Sequence, residues 1–249
     1  AYDQDNIKWM MNNNAESMLD KIICVSQWQK KTFEKYLFVD PNKLIVLGNP
    51  IDHSLYSGYT KRDLNRLIYC SIPFKGLEVL PDLFQEIKFK SKDESNKITL
   101  DIYSSFEMYD RKEEDDKYND VFRQLSNIDG VNIFNSVSMK DLSFKFKSSS
   151  LLLAPSTYHE TFGRVFVEGM SGGCIPVTVN NGANKEIIED YGYVIDYATI
   201  HNSQCFEKYV DTVCDLVGEP LFNERTRCER NMSKWDYIKL SKRFEEIII

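Results

Sequence analysis

Short apolar runs alternate with amphipathic stretches along almost the whole chain, and this alternation constrains the fold more than any other feature. Buried parallel strands are continuous apolar runs, whereas the helices that cover them are apolar on one face only. The pattern therefore predicts an α/β fold in which a parallel sheet is wrapped by helices. The candidate strands are Lys21–Val25, Leu44–Leu47, Arg66–Cys70, Lys97–Tyr103, Val131–Phe134, Leu151–Ala154, Ile175–Val179 and Gly192–Ile195.

Helix boundaries are marked by capping and breaking residues. Ser26 is placed to cap a helix over Gln27–Phe38, which Asp40-Pro41 ends. A second helix is expected after Gly76, with Pro81 near its middle as a kink or break. Residues 205–249 are expected to form three helices, interrupted at residues 218–220 and near Ser233. The first twenty residues have the pattern of a helix from the middle of a domain.

Composition excludes several classes of function. The 249 residues are 42% hydrophobic and 28% charged, which is typical of a globular protein. The net charge of −7 argues against a surface for nucleic acid or anionic lipid. The six cysteines form no CxxC pair, so a zinc site has no support, and buried free thiols in a cytoplasmic protein are expected. No apolar run is long enough for a transmembrane segment, whereas peripheral attachment to a membrane is left open.

The stretch LLLAPSTYHETFGRVFVEGMSGGCIPVTVNNGANKEII, residues 151–188, carries the chemistry. It is expected to form a buried strand, a short loop, a helix ended by two glycines, and a second strand. Ligands of such units bind beyond the carboxyl ends of the strands, and the helix start favours an anion. If the helix runs between Glu160 and Glu168, their backbones lie roughly 12 Å apart. That spacing is wide for a glycoside hydrolase, but it suits the sugar, diphosphate and ribose of a nucleotide sugar.

This stretch resembles the donor site of the retaining GT-B glycosyltransferases of glycosyltransferase family four, in which two glutamates are separated by seven residues. Further segments resemble the family in order along the chain: KIICVSQWQKKTF, VLGNPID, LIYCSIPFKGLEVL, VNIFNSVSMKDL and SKWDYIKLSKRFEEI. The resemblance implies a Rossmann-like doubly wound parallel sheet over residues 49–249, the nucleotide-sugar donor-binding domain with its closing helices. Residues 1–48 would be the end of the N-terminal, acceptor-side domain.

The resemblance also implies roles for individual residues. Glu160 would contact sugar hydroxyls, and Lys75 would neutralise the leaving diphosphate; these two are the catalytic candidates. Glu168 would bind the ribose hydroxyls. The remaining donor-binding candidates are Thr161, Phe162 and Gly163 beside the sugar and diphosphate, Gly182 near the diphosphate, and Ile133 and Phe134 beside the base.

One departure from the family pattern concerns phosphate binding. Cys70-Ser71 stands where the family usually has Gly-Arg, so Arg164 or Lys185 is the candidate replacement for the absent cation. No metal and no cofactor are expected, since the nucleotide-diphosphate sugar is itself the substrate. Glu186, near the start of the following helix, is interpreted as a helix cap.

The predicted function is retaining transfer of a sugar from a nucleotide-diphosphate sugar to a glycan, lipid-linked or protein-linked acceptor. Because the acceptor-side domain is mostly missing, the chain is expected to be a fragment or module of a longer enzyme, with that domain in cis or in trans. Two alternatives remain: a self-standing donor-binding domain that is inactive without a partner subunit, and a nucleotide-sugar epimerase of related fold.

Overall fold

The computed structural model describes residues 7, 9, 15–91, 97–197 and 199–248. Strands β3 to β8 form one parallel six-stranded sheet in the order β5-β4-β3-β6-β7-β8. Counted from the first strand of this sheet, the order is 3-2-1-4-5-6, that of a doubly wound Rossmann-like sheet. The predicted fold class is therefore confirmed. The strands are β3 (Arg66–Cys70), β4 (Thr99–Tyr103), β5 (Val131–Phe134), β6 (Leu151–Ala154), β7 (Ile175–Val179) and β8 (Tyr193–Ile195).

Helices cover both faces of this sheet. One group packs together around α2 (Leu80–Lys90), with α3 (Asn119–Ser126) and α7 (Ser203–Leu216). The other packs around α5 (Arg164–Ser171), with α4 (Met139–Ser148), α6 (Asn184–Ile188) and α8 (Phe222–Met232). The core lies between these layers and is formed by buried aliphatic and aromatic side chains from five of the six strands, whereas β5 contributes only the partly buried Val131.

A second, two-stranded parallel sheet precedes the large one. It pairs β1 (Ile22–Cys24) with β2 (Leu44–Val46) and packs against α1 (Gln27–Leu37) around a small apolar cluster of its own. Ser26 caps α1 as predicted, because its hydroxyl accepts the backbone N–H of Gln29 at 2.9 Å. The predicted helix over the first twenty residues lies mostly outside the described residues; Ala15–Met18 forms a 3₁₀ turn.

One contact ties the small sheet to the large one, and a second one holds the C-terminal helix. Glu186 does not cap its own helix; its carboxylate accepts the backbone N–H groups of Gln27 and Trp28, at 2.7 and 2.9 Å, and so caps α1 from across the molecule. The C-terminal helix α9 (Tyr237–Ile248) begins where Ile51 exchanges backbone hydrogen bonds with residues 235 and 237. Both contacts join segments that are distant in sequence.

One predicted detail is wrong. Pro81 lies in the first turn of α2 and not near its middle, because Leu77–Val79 forms a separate 3₁₀ turn after Gly76. At that position the missing N–H of proline has no helical partner to lose, so the helix is not kinked. The interruptions predicted among the C-terminal helices agree with the ends of α7 and α8.

Candidate functional site

The candidate site lies at the carboxyl ends of β3 and β6, where the strand order of the large sheet reverses. Connections leave these two neighbouring strands in opposite directions, which opens a crevice between the loops that follow them. A cavity of about 270 Å³ occupies the crevice. Its wall comes mainly from the segments after β3, β4 and β6 and from the first turns of α5.

Lys75 and Glu160 form an ion pair inside this cavity. Lys75 Nζ lies 2.7 Å from Glu160 Oε1, and the two side chains are only 23% and 9% exposed. Lys75 also lies 5.9 Å from the centre of the Tyr158 ring, within range of a cation–π interaction. The ammonium group is thus held at the cavity wall by a carboxylate and an aromatic ring, with part of its surface facing the cavity.

The backbone of Glu160 is fixed by the loop after β7. Glu160 and Gly182 form an isolated parallel bridge, and the N–H of Ala183 donates to the Glu160 carbonyl at 2.7 Å. Gly182 has φ of +70°, and a Cβ added to it would lie 2.6 Å from the Glu160 nitrogen. Only glycine allows this close approach, so Gly182 determines where the Glu160 carboxylate is placed.

Arg164 and Glu168 form a second ion pair, along the first turn of α5. Arg164 Nε lies 2.7 Å from Glu168 Oε1, because residues four apart share one face of a helix. The arginine is 51% exposed, whereas the glutamate is 8% exposed. Burial raises the pKa of Glu168 to about 7, although the Arg164 guanidinium acts in the opposite direction. Glu168 is therefore poised to change its protonation state near neutral pH.

The N-terminus of α5 faces the same cavity. Gly163 precedes the helix with φ of +74°, and Gly163, Arg164 and Val165 all line the cavity. The first N–H groups of a helix have no carbonyl partner within it, and they carry the positive end of the helix dipole. Together with Lys75 and Arg164, this helix end gives the cavity three sources of positive potential for an anion.

Cys70, at the end of β3, lines the cavity without being a candidate nucleophile. Burial, and to a lesser extent the Glu168 carboxylate, raise the pKa of its thiol far above the ordinary value. A thiol that stays protonated at neutral pH is a poor nucleophile. All six cysteines are free thiols, as predicted, and four of them are buried.

Sequence analysis missed the contribution of β4. Tyr103 and Ser104, at its carboxyl end, line the cavity, and the hydroxyl oxygens of both are buried without a hydrogen-bond partner among the described residues. The Tyr103 ring stacks on Phe134, with ring centres 4.8 Å apart and planes 9° from parallel. Because β4 lies beside β3 in the sheet, the end of this strand was the signal that could have identified these residues.

The structure brings some of the predicted site residues together and separates others. One cavity is lined by Lys75, Glu160, Gly163, Arg164 and Glu168. Lys185 does not line it. Phe162 is fully buried, with its ring edge-on to Trp235. Thr161 and Gly182, each next to the lining residue Glu160, do not line the cavity themselves, and neither do the partly exposed Ile133 and Phe134. The donor-binding roles of these residues remain predictions.

No group of three or more His, Cys, Asp or Glu side chains in the described ranges is arranged to hold a metal ion. Within the same ranges, none of the helices combines the length and apolar composition that a bilayer span requires.

Comparison with known proteins agrees with this geometry. Among solved structures, a glycosyltransferase from Rickettsia africae superimposes with a TM-score of 0.76 at 16% identity, covering 98% of this chain and 66% of that one. Anabaena HepE, solved with UDP and glucose, gives a TM-score of 0.74 at 18% identity, covering 98% of this chain and 67% of that one. These likenesses establish a GT-B glycosyltransferase fold.

Sequence relatives point the same way. An uncharacterized glycosyltransferase of Methanocaldococcus jannaschii is 27% identical over 181 residues, which are 72% of this chain and 45% of that protein. Spore coat protein SA of Bacillus subtilis is 29% identical over 99 residues, 39% of this chain and 25% of that protein. The chain thus spans less than half the length of these relatives. The family model described as glycosyl transferases group 1 matches residues 72–235, well over half of the chain, and the protein therefore belongs to that family.

Proposed function

We propose that this chain binds a nucleoside diphosphate sugar in the cavity at the carboxyl ends of β3 and β6, and that its sugar is transferred to a hydroxyl acceptor with retained configuration. The observation that carries the proposal is the pairing of Lys75 with Glu160 and of Arg164 with Glu168 around one cavity. Each pair offers a cation for phosphate and a carboxylate for hydroxyls. A nucleotide sugar presents hydroxyls at both ends of a diphosphate.

Each residue of the cavity would contact a different part of the donor. The Glu160 carboxylate would accept hydrogen bonds from sugar hydroxyls, while Glu168 would accept those of the ribose. Lys75 and the N-terminus of α5 would face the diphosphate, with Arg164 as a further cation in place of the family arginine. The donor is longer than a cavity of about 270 Å³ can enclose. The base would therefore extend outward, toward the stacked Tyr103 and Phe134.

The reaction follows from where charge develops. The bond between the anomeric carbon and the phosphate oxygen breaks, the acceptor oxygen attacks from the same face, and its proton passes to the leaving phosphate oxygen. Negative charge grows on the diphosphate as the bond breaks, and Lys75 and the helix end are positioned to stabilise it. No side chain is assigned as a general base, and neither a metal nor a cofactor is part of the proposed reaction.

A thermal-shift panel of UDP-, GDP- and ADP-sugars tests donor binding and identifies the base. Calorimetry with the selected nucleotide and its sugar then tests the residues. Glu168→Ala is expected to weaken binding of both ligands about tenfold or more, because both contain the ribose. Glu160→Ala is expected to weaken only the sugar-dependent part. Glu207→Ala, an exposed carboxylate on α7, is the control.

Wild-type affinity in both variants would contradict the assigned site. Transfer is tested separately with a radiolabelled donor, after supplying the remainder of a full-length enzyme if the chain alone is inactive. Donor binding without transfer, even after the remainder has been supplied, would support the alternative of a donor-binding module. An epimerised nucleotide sugar as the product would support the epimerase and contradict sugar transfer.

A further inference from the structure

A second cavity, of about 870 Å³, lies at the opposite end of the large sheet from the candidate site. Its lining residues include members of the segments that lead into three strands: Arg62 and Leu64 before β3, Lys147 before β6, and Gly172 before β7. The remaining wall comes mainly from residues 53–61 and from α8. The two cavities have no described lining residue in common.

The wall of this second cavity is basic although the chain is acidic. Four cationic side chains line it, whereas Glu229 is the one carboxylate among its described lining residues. The cations are Lys61, Arg62, Lys147 and Arg225. Four cations and one carboxylate give the described wall a formal charge of +3, in a chain whose net charge is −7. Such a local concentration of one sign of charge favours an anion that carries more than one charge.

Neutral groups are the hydrogen-bond partners of both arginines among the described residues. Arg62 donates to three carbonyls at the ends of α4 and α5, and Arg225 donates to three carbonyls and one hydroxyl. A guanidinium has five N–H groups, so at least one on each arginine is left without a described partner. Burial and, after it, the charge of Arg62 lower the pKa of Arg225 to about 10. The two positive charges thus repel each other, and a bound anion would weaken that repulsion.

The two lysines of the wall are better placed than the arginines to bind a ligand. Lys61 is exposed and forms neither a hydrogen bond nor an ion pair with a described residue. Lys147 donates to the Ser57 carbonyl at 2.9 Å, and its ammonium group has no ion pair with a described residue. Both ammonium groups can therefore turn toward a ligand without breaking an ion pair. An ammonium on a flexible stem acts as a point charge that suits phosphate.

Aromatic rings and polar groups share this wall with the cations. Tyr59 and Phe222 line the cavity and are 93% and 75% exposed, so their rings are accessible to a ligand. Such rings offer a flat apolar surface for the C–H face of a sugar ring. Ser54 and Thr60 add hydroxyls, and the Nδ1 atom of His53 is buried with no hydrogen-bond partner among the described residues. A ligand hydroxyl can complete such a group, so the wall favours a sugar over a bare ion or an acyl chain.

We propose that the second cavity binds a phosphorylated sugar, with the phosphate at Lys61 and Lys147 and the sugar ring against Tyr59 and Phe222. None of these residues takes part in the proposed sugar transfer, so the inference goes beyond that function and does not depend on it. The shared chemistry is a sugar that carries a phosphate, supplied either as a soluble sugar phosphate or as a glycan with phosphates along its chain. A cavity of about 870 Å³ has room for either.

Calorimetry on the chain tests this proposal, in an excess of the nucleotide that the thermal-shift panel selects. That excess prevents a probe phosphate from binding beside Lys75. The probes are glucose 1-phosphate, methyl glucoside, inorganic phosphate and a short glucose oligomer joined by phosphodiesters. Glucose 1-phosphate is expected to bind at least about tenfold more tightly than methyl glucoside or inorganic phosphate. An oligomer that binds more tightly still indicates a phosphorylated glycan, whereas equal or weaker binding indicates a soluble sugar phosphate.

Lysine variants assign the phosphate to this cavity. Lys61→Glu combined with Lys147→Glu is expected to weaken binding of glucose 1-phosphate about tenfold or more. Lys61→Glu alone should weaken it to a lesser extent, and because Lys61 has no described partner this variant removes no contact of the fold. The control combines Lys208→Glu with Lys242→Glu, exposed lysines on α7 and α9, and changes the net charge equally.

Ring variants assign the sugar. Tyr59→Ala combined with Phe222→Ala is expected to weaken both glucose 1-phosphate and methyl glucoside, with Phe89→Ala, an exposed ring on α2, as the control. Undiminished binding of glucose 1-phosphate by the double lysine variant would overturn the proposal, as would inorganic phosphate that binds equally well. A second equivalent of nucleotide that the lysine variant fails to bind would assign the cavity to a nucleotide and also overturn it. If no nucleotide binds at all, the proposed function fails, and the lysine variants still test this cavity.

Discussion

Glu168 illustrates how one buried side chain can make ligand binding depend on pH. Its pKa is raised to about 7 by burial, so its carboxyl is partly protonated at neutral pH in the empty site. In the proposed function, ribose hydroxyls would donate to the ionised form, so donor binding would favour loss of the proton. Affinity should therefore rise with pH through neutrality and level off at about pH 8, where the carboxyl is almost fully ionised.

We predict that binding of the nucleotide sugar weakens about fivefold from pH 7 to pH 6, and that it releases a fraction of a proton at pH 7. A nucleotide sugar is the suitable ligand because its diphosphate has no group that titrates near pH 6. Calorimetry in buffers of different ionisation enthalpy measures the released proton. Glu168→Gln, which cannot titrate, should bind weakly and equally at both pH values. An absence of proton release by the unaltered chain would refute the role of Glu168.

At the scale of elements, the loop after β7 positions a residue of the loop after β6. Gly182 approaches the Glu160 backbone too closely for any Cβ, whereas Gly58, at a similar φ of +80°, has nothing within 4 Å of the added atom. Substitution of Gly58 therefore introduces backbone strain alone, whereas substitution of Gly182 introduces both strain and steric overlap.

We predict that Gly58→Ala costs about 1 kcal/mol of unfolding free energy, from strain alone. Gly182→Ala should cost about 3 kcal/mol or more and should also weaken the sugar-dependent part of donor binding, because Glu160 is displaced. Urea denaturation measures the first effect, and calorimetry the second. Equal costs for the two variants would show that the contact between Gly182 and Glu160 is unimportant.

The strands and helices could be predicted from the sequence better than the contacts between them. β3, β6 and β7 agree with the apolar runs because strands buried on both faces are continuously hydrophobic. Glu160 and Glu168 could be identified from a local spacing, since one loop and one helix carry both. The stack of Trp28 on His159 and that of Tyr103 on Phe134 join distant segments. Such pairs depend on strand order and on helix placement, which no local pattern contains.

At the scale of the whole molecule, a set of buried stabilising hydrogen bonds and the candidate site lie at opposite ends of the large sheet. Arg225, on α8, is buried at the end where the strands begin. Its guanidinium donates to the carbonyls of Pro220, Ser150 and Gly173 at 2.8 to 2.9 Å, and to the Ser150 hydroxyl. This one side chain joins α8 to the segments that lead into β6 and β7.

We predict that Arg225→Lys lowers the free energy of unfolding by about 2–4 kcal/mol, because an ammonium group cannot reproduce the planar fork of donors. Donor affinity of the folded variant should be unchanged, since the site lies at the other edge. Arg230→Lys, at an exposed position of the same helix, should change stability by less than about 0.5 kcal/mol. Urea denaturation compares the two variants, and equal stabilities would contradict the role given to Arg225.

The ion pairs of the empty cavity have a consequence for selectivity in a cell rich in competing solutes. Lys75 is already paired with a carboxylate, so an inorganic phosphate that binds Lys75 leaves Glu160 buried with an uncompensated charge. A free sugar engages the carboxylate but cannot neutralise the lysine. Only a molecule that presents a phosphate and hydroxyls at the matching spacing replaces both partners at once. In the proposed function, the Lys75–Glu160 pair would therefore select against ligands that carry only a phosphate or only hydroxyls.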